Sequence, residues 1–392
     1  MGDRVYLDWN ATAPLSAAAR DAMRVAFELA GNPSSVHAEG RAARAAVEAA
    51  REAVAGFAGA SPADVVFTSG GTEANATALT PHLEWPAGDR CTRLLVSAVE
   101  HPSVLAGGQF SPQQVEQIPV SRDGIVDLAA LAERLDLLAR TGERPLVSVM
   151  LANNETGIVQ PVAAAAELAH AAGGLLHVDA VQAAGRMPLS IKDFGADLMT
   201  LSGHKIGAPK GVGALIRRGG DIHIAPLLRG GGQERRLRAG TENVAAIAGF
   251  GAAATTAAGT DDRARMAALR GTLEEGLVAA CPEVVVFGSG TERLCNTSLF
   301  AVSGVSAETA LIAFDLDGIA VSSGSACSSG KVAPSHVLAA MGVAKELALG
   351  AIRVSLGPTT SGNDVDRLLK TWRSVVARLN KTSKKGRGGL AA

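Results

Sequence analysis

Residues 175–205 read LLHVDAVQAAGRMPLSIKDFGADLMTLSGHK, and this stretch decides the fold class. Two short apolar runs, Leu175–Val178 and Asp197–Leu201, each break off into polar residues: Asp179-Ala-Val-Gln182 after the first, Ser202-Gly-His-Lys205 after the second. Short buried-looking runs alternating with Ala-rich helical stretches are the pattern of a parallel sheet covered by helices. The same pattern extends from about Pro62 to Leu215. Asp64–Phe67, Arg93–Val96 and Leu146–Leu151 are followed by Thr68-Ser-Gly-Gly-Thr-Glu, Glu100-His101 and Asn153-Asn154-Glu155. In open α/β sheets ligands sit beyond the carboxyl ends of the strands, so five polar strand ends point at one crevice.

The chain has 392 residues, and single cores stop growing near ~250 to 300 residues, which predicts a large domain and a smaller one. The large domain is expected over 15–258, leaving through a helix from Val244 to about Ala258. Residues 1–14 and 259–380 are expected to form a smaller α+β domain. It would contain a helix over Arg263–Ala280 and strands near Val284–Phe287, Cys295–Val302 and Ile319–Ser322. The helix before the tail is expected to end near Asn380, and residues 381–392 (KTSKKGRGGLAA) read as a flexible basic end.

Lys+Arg 37 against Asp+Glu 38 gives a net charge of -1, too balanced to draw in polyanions, and aromatics are only 3%. Nucleic acid is therefore not an expected partner. Four cysteines, Cys91, Cys281, Cys295 and Cys327, stand far apart with no C-x-x-C pair. That excludes a readable zinc site or disulfide framework and fits a reducing cytoplasm. No metal is expected. No apolar stretch reaches the roughly 18 residues of a membrane span, and the start of the chain has no signal-like apolar region.

Ser69-Gly-Gly-Thr-Glu-Ala-Asn ends a strand and opens a helix, whose free N–H groups together with Thr72 suit a phosphate; a capped turn is the plainer alternative. Lys205 follows a buried-looking strand, where an apolar setting lowers an amine's pKa and makes it a nucleophile toward a carbonyl; a surface lysine is the alternative. Asp179 alone reads as a helix cap. Paired with Lys205, it matches the arrangement of pyridoxal-phosphate enzymes, in which a carboxylate keeps the pyridine nitrogen protonated and a lysine holds the aldehyde. His101 would stack on the ring and move protons, unless it is a hydrogen-bonded core histidine. Cys327 lies in a Ser/Gly run without apolar period, so it reads as exposed and reactive, whereas the other three cysteines read as structural. Arg353 sits in an apolar strand-like context and needs an anion, either a substrate carboxylate or an internal partner. Asn32 is either a turn residue or a second carboxylate ligand.

Taken together these motifs resemble the NifS/IscS-type cysteine desulfurases, class V members of the fold-type I pyridoxal-phosphate enzymes. The resemblance rests on YLDWNATAP, GNPSSVH, FTSGGTEAN, EHPSV, NNETGIVQP, HVDAVQ, SGHKIGAPKGVGAL, RAGTEN, SSGSACSSG and IRVSLG, in that order along nearly the whole chain. It implies that Lys205 holds the cofactor aldehyde, that Asp179 pairs with the pyridine nitrogen and that His101 lies over the ring. Gly71, Thr72, Ser202 and His204 would bind the phosphate, and Thr241 would reach the phosphate of a partner subunit, implying a homodimer. Asn154 and Gln182 would contact the ring and its hydroxyl, and Arg353 with Asn32 the substrate carboxylate. Gly71 stands where alanine is commoner, and Trp9-Asn10 replaces a more usual pair.

The resemblance also implies conversion of L-cysteine to L-alanine, with the sulfur left as a persulfide on Cys327 for iron–sulfur cluster assembly or another thiolation. The SSGSAC form resembles the group whose cysteine loop is long. The short tail departs from the IscS branch, whose longer tail docks a scaffold protein. Other class V chemistry, such as selenocysteine lysis, and a non-catalytic role in sulfur trafficking are the alternative readings.

Overall fold

The strand runs assemble as expected in the computed structural model, which describes residues 4–85, 89–324 and 334–387. The central sheet has seven strands: β1 (Val65–Thr68), β2 (Arg93–Ser97), β3 (Val115–Ile118), β4 (Pro145–Ser148), β5 (Leu175–Asp179), β6 (Leu198–Ser202) and β7 (Gly213–Arg217). They lie side by side in the order β1-β7-β6-β5-β4-β2-β3. All pairings are parallel except those of β7, which runs antiparallel to β1 and β6. The fold class is thus α/β with a mostly parallel sheet.

Every residue of β1, β4, β5, β6 and β7 is buried, because helices cover both faces, and this is why these strands read as continuous apolar runs. Strand β3, with sequence VEQI, carries the exposed Gln117 at the sheet edge, and no apolar run announces it. The Leu146–Leu151 run outlasts its strand: β4 ends at Ser148, but Val149 and Leu151 still donate to His177 and Asp179 carbonyls before Ala152 turns to bridge Val159.

Helices Ala17–Phe27, Ala38–Ala58 and Val244–Gly259 pack together on one side. Their small residues permit a close crossing: a Cβ on Gly251 would come within 2.6 Å of the Ala50 Cα. Within the second of these helices Arg51 is 4% exposed and forms a two-pronged pair with Glu234, both bonds 2.8 Å. Glu234 also accepts the Phe67 amide of β1 at 2.8 Å, which ties the Glu234–Arg236 turn, whose three φ values are all positive, to the strand that leads into Ser69-Gly-Gly-Thr.

A second core gathers Leu273, Leu277, Phe300, Phe314, Ile352 and Trp372, with Val5 and Leu7 from the amino-terminal segment. Its sheet is antiparallel, in the order Val285–Val286, Thr297–Ala301, Ile352–Ser355, Ser322–Ser323. Val5–Tyr6 pairs in parallel with Ile319–Ala320. The amino terminus therefore crosses from this sheet to the crevice of the large one. The helix expected over Arg263–Ala280 forms with those bounds. The last helix, Gly362–Arg387, runs past Asn380, where the sequence reading ended it: Lys381–Lys385 contains neither proline nor glycine to stop it. Residues 388–392 of the expected tail lie outside the described residues.

Candidate active site

Strand ends and the loops after them line a cavity of about 600 Å³. Gly71 and Thr72 enter it at the start of helix Gly71–Ala78, whose N-cap is Gly70, without a side-chain cap, so the first amides face the cavity without an internal acceptor. Ser202 lines it from the end of β6 and His204 from the turn that follows. A Cβ on Gly71 would meet Val181 Cγ2 at 3.1 Å and Ser202 Cβ at 3.4 Å, so an alanine here would need the Val181 side chain to give slightly.

Asp179 closes β5 and is 5% exposed. Its Oδ2 accepts from Asn75 Nδ2 at 2.8 Å and its Oδ1 from the Val181 amide at 3.0 Å. Asn75 also donates to Ser103 Oγ at 2.9 Å, and that hydroxyl lies 2.8 Å from His101 Nδ1. A single amide thus links the elements that carry Asp179 and His101, and its own Oδ1 is buried without a protein partner. His101 caps the short helix Pro102–Leu105 and stands exposed at the cavity wall. Crowding by protein atoms there lowers its pKa; Lys205 and His336 add to this, while Asp179 opposes it.

Lys205 Nζ donates to two backbone oxygens of the amino-terminal segment, Asn10 at 2.5 Å and Ala11 at 3.0 Å. Desolvation, reinforced by Arg186 and Arg353, lowers its pKa to about 7, against the opposing pull of Asp179 and Asp8. A sizeable share of the amine is then unprotonated and nucleophilic at neutral pH. His204, 3.1 Å from Thr12 Oγ1, is lowered to about 4 by burial and by Lys205, Lys210 and Arg186. It is a neutral ring that can donate one hydrogen bond. Gln182 donates to the Asn10 carbonyl at 3.0 Å, and the Asn154 carbonyl accepts from Asn10 Nδ2 at 3.2 Å.

Nine of the singled-out residues therefore share one cavity: Gly71, Thr72, His101, Asn154, Asp179, Gln182, Ser202, His204 and Lys205. Arg353 does not line it but abuts it, donating to the Asn154 carbonyl at 3.1 Å and to Asp8 Oδ1 at 2.8 Å. Thr241 is exposed and lines a separate cleft of about 200 Å³. Asn32 is exposed away from the cavity and its Oδ1 accepts the Ser34 amide at 2.9 Å, a turn geometry. Cys327 lies outside the described residues.

Side chains that the sequence reading gave no role are as informative. Asn75 and Asn10 sit in stretches already notable for their motifs, and what sets them apart is a partner distant in the chain, Asp179 for Asn75 and Thr297 for Asn10. Glu155 is 3% exposed and accepts from Ser335 Oγ at 2.5 Å; burial raises its pKa to about 7 against the lowering effects of Ser335 and Arg353. His177, by contrast, is a core histidine held between Ser148 Oγ and Thr200 Oγ1, lowered to about 4 by burial. Cys91 and Cys281 are buried and Cys295 half-buried, all three with thiols pushed up chiefly by desolvation. No group of three or more metal-ligating side chains occurs among the described residues, and none of their helices is long and apolar enough to cross a membrane.

Residues 5–368 match the aminotransferase class-V family. The chain belongs to that family. Within the class-V family its curated relatives include a cysteine desulfurase of Cereibacter sphaeroides, 46% identical over 388 residues and covering 97% of this chain and 98% of the relative. Another is the cysteine desulfurase NifS of Azotobacter vinelandii, 40% identical over 386 residues, with 97% and 94% covered. Among solved structures, a NifS-like protein from Rickettsia africae superposes with a TM-score of 0.86 at 34% identity, covering 96% of this chain and all of the other. The class-V chain is thus similar to cysteine desulfurases over almost its full length.

Proposed function

We propose that this chain is a pyridoxal-phosphate-dependent cysteine desulfurase that converts L-cysteine to L-alanine and leaves the sulfur as a persulfide on Cys327. The observation that carries the reading is the junction of Lys205, Asp179 and His101 at one cavity in a class-V chain, with the Lys205 amine lowered to about 7. The residues fit the cofactor chemically. The uncapped helix start at Gly71 and Thr72, the Ser202 hydroxyl and the neutral His204 ring form a donor set for a phosphate. Asp179, steadied by Asn75, supplies the carboxylate for a pyridine nitrogen, and Lys205 the amine for an aldehyde.

Pyridoxal phosphate, when bound, would supply an electron sink that acidifies the substrate Cα–H and weakens the substrate Cβ–S bond. The chain's own groups do the rest. Lys205, its amine lowered to about 7, accepts and returns protons at the substrate Cα. His101, with a lowered pKa, is a neutral base at pH 7 that can take the proton from the incoming amino group or thiol. Arg353 and Asn154 hold the substrate carboxylate. The Cys327 thiolate attacks the substrate sulfur: a new S–S bond forms, the substrate C–S bond breaks, and the released carbon is protonated to give alanine. Cysteine plus one protein thiol yields alanine plus one protein persulfide, with no external oxidant.

The exposed positions of Thr241 and Asn32 support a homodimer in which each completes the partner's site. So do the exposed apolar side chains of Val25, Phe27 and Val36, at 70, 69 and 87%, in the segment around Asn32. We place this homodimer in the cytoplasm, organised as a cofactor-binding domain over 15–258 and a smaller domain of 1–14 and 259–380, and delivering sulfur to an acceptor protein of iron–sulfur cluster assembly or another thiolation. A Cys327→Ala holoprotein tests the reading. Its cofactor absorption is expected to persist while sulfide release from L-cysteine stops; undiminished release would refute the role of Cys327.

A further inference from the structure

The guanidinium expected to receive the substrate's carboxylate already holds one. Arg353 is 6% exposed, and its Nη2 donates to Asp8 Oδ1 at 2.8 Å while Nη1 donates to the Asn154 carbonyl at 3.1 Å. Asp8 does not meet it by chance. The backbone beside Asp8 is stitched to the Arg353 strand: Asp8 bridges Ser355 in parallel, the Ser355 amide donates to the Leu7 carbonyl at 2.8 Å and the Trp9 amide to the Ser355 carbonyl at 3.3 Å. Residues 353 and 355 share one face of that strand, so the pairing sets Asp8 against the arginine.

The pair is also incomplete. On an arginine, Nε and Nη2 form the side-on fork that a carboxylate grips with both oxygens. Asp8 takes only Nη2, and Nε is buried with no acceptor. An incoming carboxylate that engages the whole fork must displace Asp8 from Nη2 or share it.

We propose that Asp8 is a positioning residue that stands in for the substrate carboxylate, an inference that rests on the reading of Arg353 given above. Asp8 keeps the buried guanidinium paired and oriented while no amino acid is present, yields Nη2 to the α-carboxylate of cysteine, and takes it back as alanine leaves. The charge arithmetic gives the direction. With Asp8 ionised the Arg353 site is neutral before an anion binds and negative after; without that charge it is positive before and neutral after. Asp8 thus weakens carboxylate binding and speeds product departure.

Asp8→Asn keeps an acceptor for Nη2 and removes the charge. In the holoprotein, titration with L-alanine followed by cofactor absorbance is expected to show a dissociation constant lowered roughly five- to tenfold, and the KM for L-cysteine is expected to fall with it. A merely structural role would raise both, and values raised or unchanged overturn the inference. Asp8→Ser, which removes the charge with a smaller side chain, serves if the first variant does not fold, with the same expected direction. Arg353→Lys separates the carboxylate-binding role of Arg353 from the stand-in role of Asp8. If it leaves L-alanine affinity unchanged, the carboxylate-binding reading of Arg353 fails. If it weakens that affinity and neither Asp8 variant strengthens it, only the stand-in role fails.

Discussion

Asn75 Nδ2 lies 2.8 Å from Asp179 Oδ2 and, through its second contact to Ser103, couples the carboxylate to the element that carries His101. Asn75 is 1% exposed, on a helix whose first turn faces the cavity. Replacing it by alanine removes one of the two hydrogen bonds that the described residues give the Asp179 carboxylate and leaves that buried oxygen short of a donor, a cost of about 1 to 3 kcal/mol. Chemical denaturation should report that loss, and the variant holoprotein should release its cofactor faster on dialysis than the parent.

The lowered pKa of Lys205 has a kinetic signature. Because the unprotonated amine is the nucleophile, the rate at which cofactor-free protein captures an aldehyde should rise with pH through a midpoint near 7 and level off above it. Stopped-flow absorbance at several pH values measures this; a midpoint near that of an ordinary lysine, about 10.4, would show that the amine is not desolvated.

Glu155 is a buried acid with a raised pKa, so the sign of its effect on stability is the reverse of the usual surface carboxylate. Below the pKa of the unfolded chain it is protonated in both states and costs nothing. As pH rises toward 7 the unfolded state ionises first, and a penalty builds that is complete above 7. Glu155→Gln is expected to raise the melting temperature at pH 8, by an amount equivalent to about 1 to 3 kcal/mol, and to lose that advantage near pH 4. Calorimetry at the two pH values checks it.

The Arg51–Glu234 pair anchors the strand that delivers Ser69-Gly-Gly-Thr to the cavity. Glu234→Ala leaves the buried Arg51 guanidinium with only the more exposed Glu48 carboxylate at 3.2 Å and the Val65 carbonyl, and should cost about 3 kcal/mol, the lower end for a broken buried pair. Urea unfolding gives the number. A loss below 1 kcal/mol would mean that the segment is held by its other contacts.

Much of this architecture was legible because burial on both faces writes strands as unbroken apolar runs, and the polar residues after each run marked the crevice. The helix Arg263–Ala280 was legible for the same local reasons. Strand β3 was not, since VEQI at a sheet edge needs no apolar run. β7 escaped because its GALIR run follows the Ser-Gly-His-Lys turn so closely that it read as part of that motif. Lys205, Asp179, His101, Cys327 and Arg353 are legible from their own charge or nucleophile, whereas Asn154, Gln182, Ser202, His204 and Thr241 take their roles only from the resemblance. The two groups that hold the Lys205 amine, the carbonyls of Asn10 and Ala11, are backbone atoms, and a backbone atom leaves no trace in a residue name. Asn75 and Glu155 were hidden differently: what makes them notable is a partner far along the chain, Asp179 in one case and Ser335 in the other.

We place the cofactor chemistry on the Lys205 amine. Reduction of the holoprotein with borohydride fixes the cofactor to whichever lysine holds it, and peptide mass spectrometry locates the adduct. The adduct is expected on the peptide containing Lys205 and is expected to be lost in Lys205→Ala. A cofactor fixed to another lysine, or protein that binds pyridoxal phosphate without forming a reducible adduct, would contradict it.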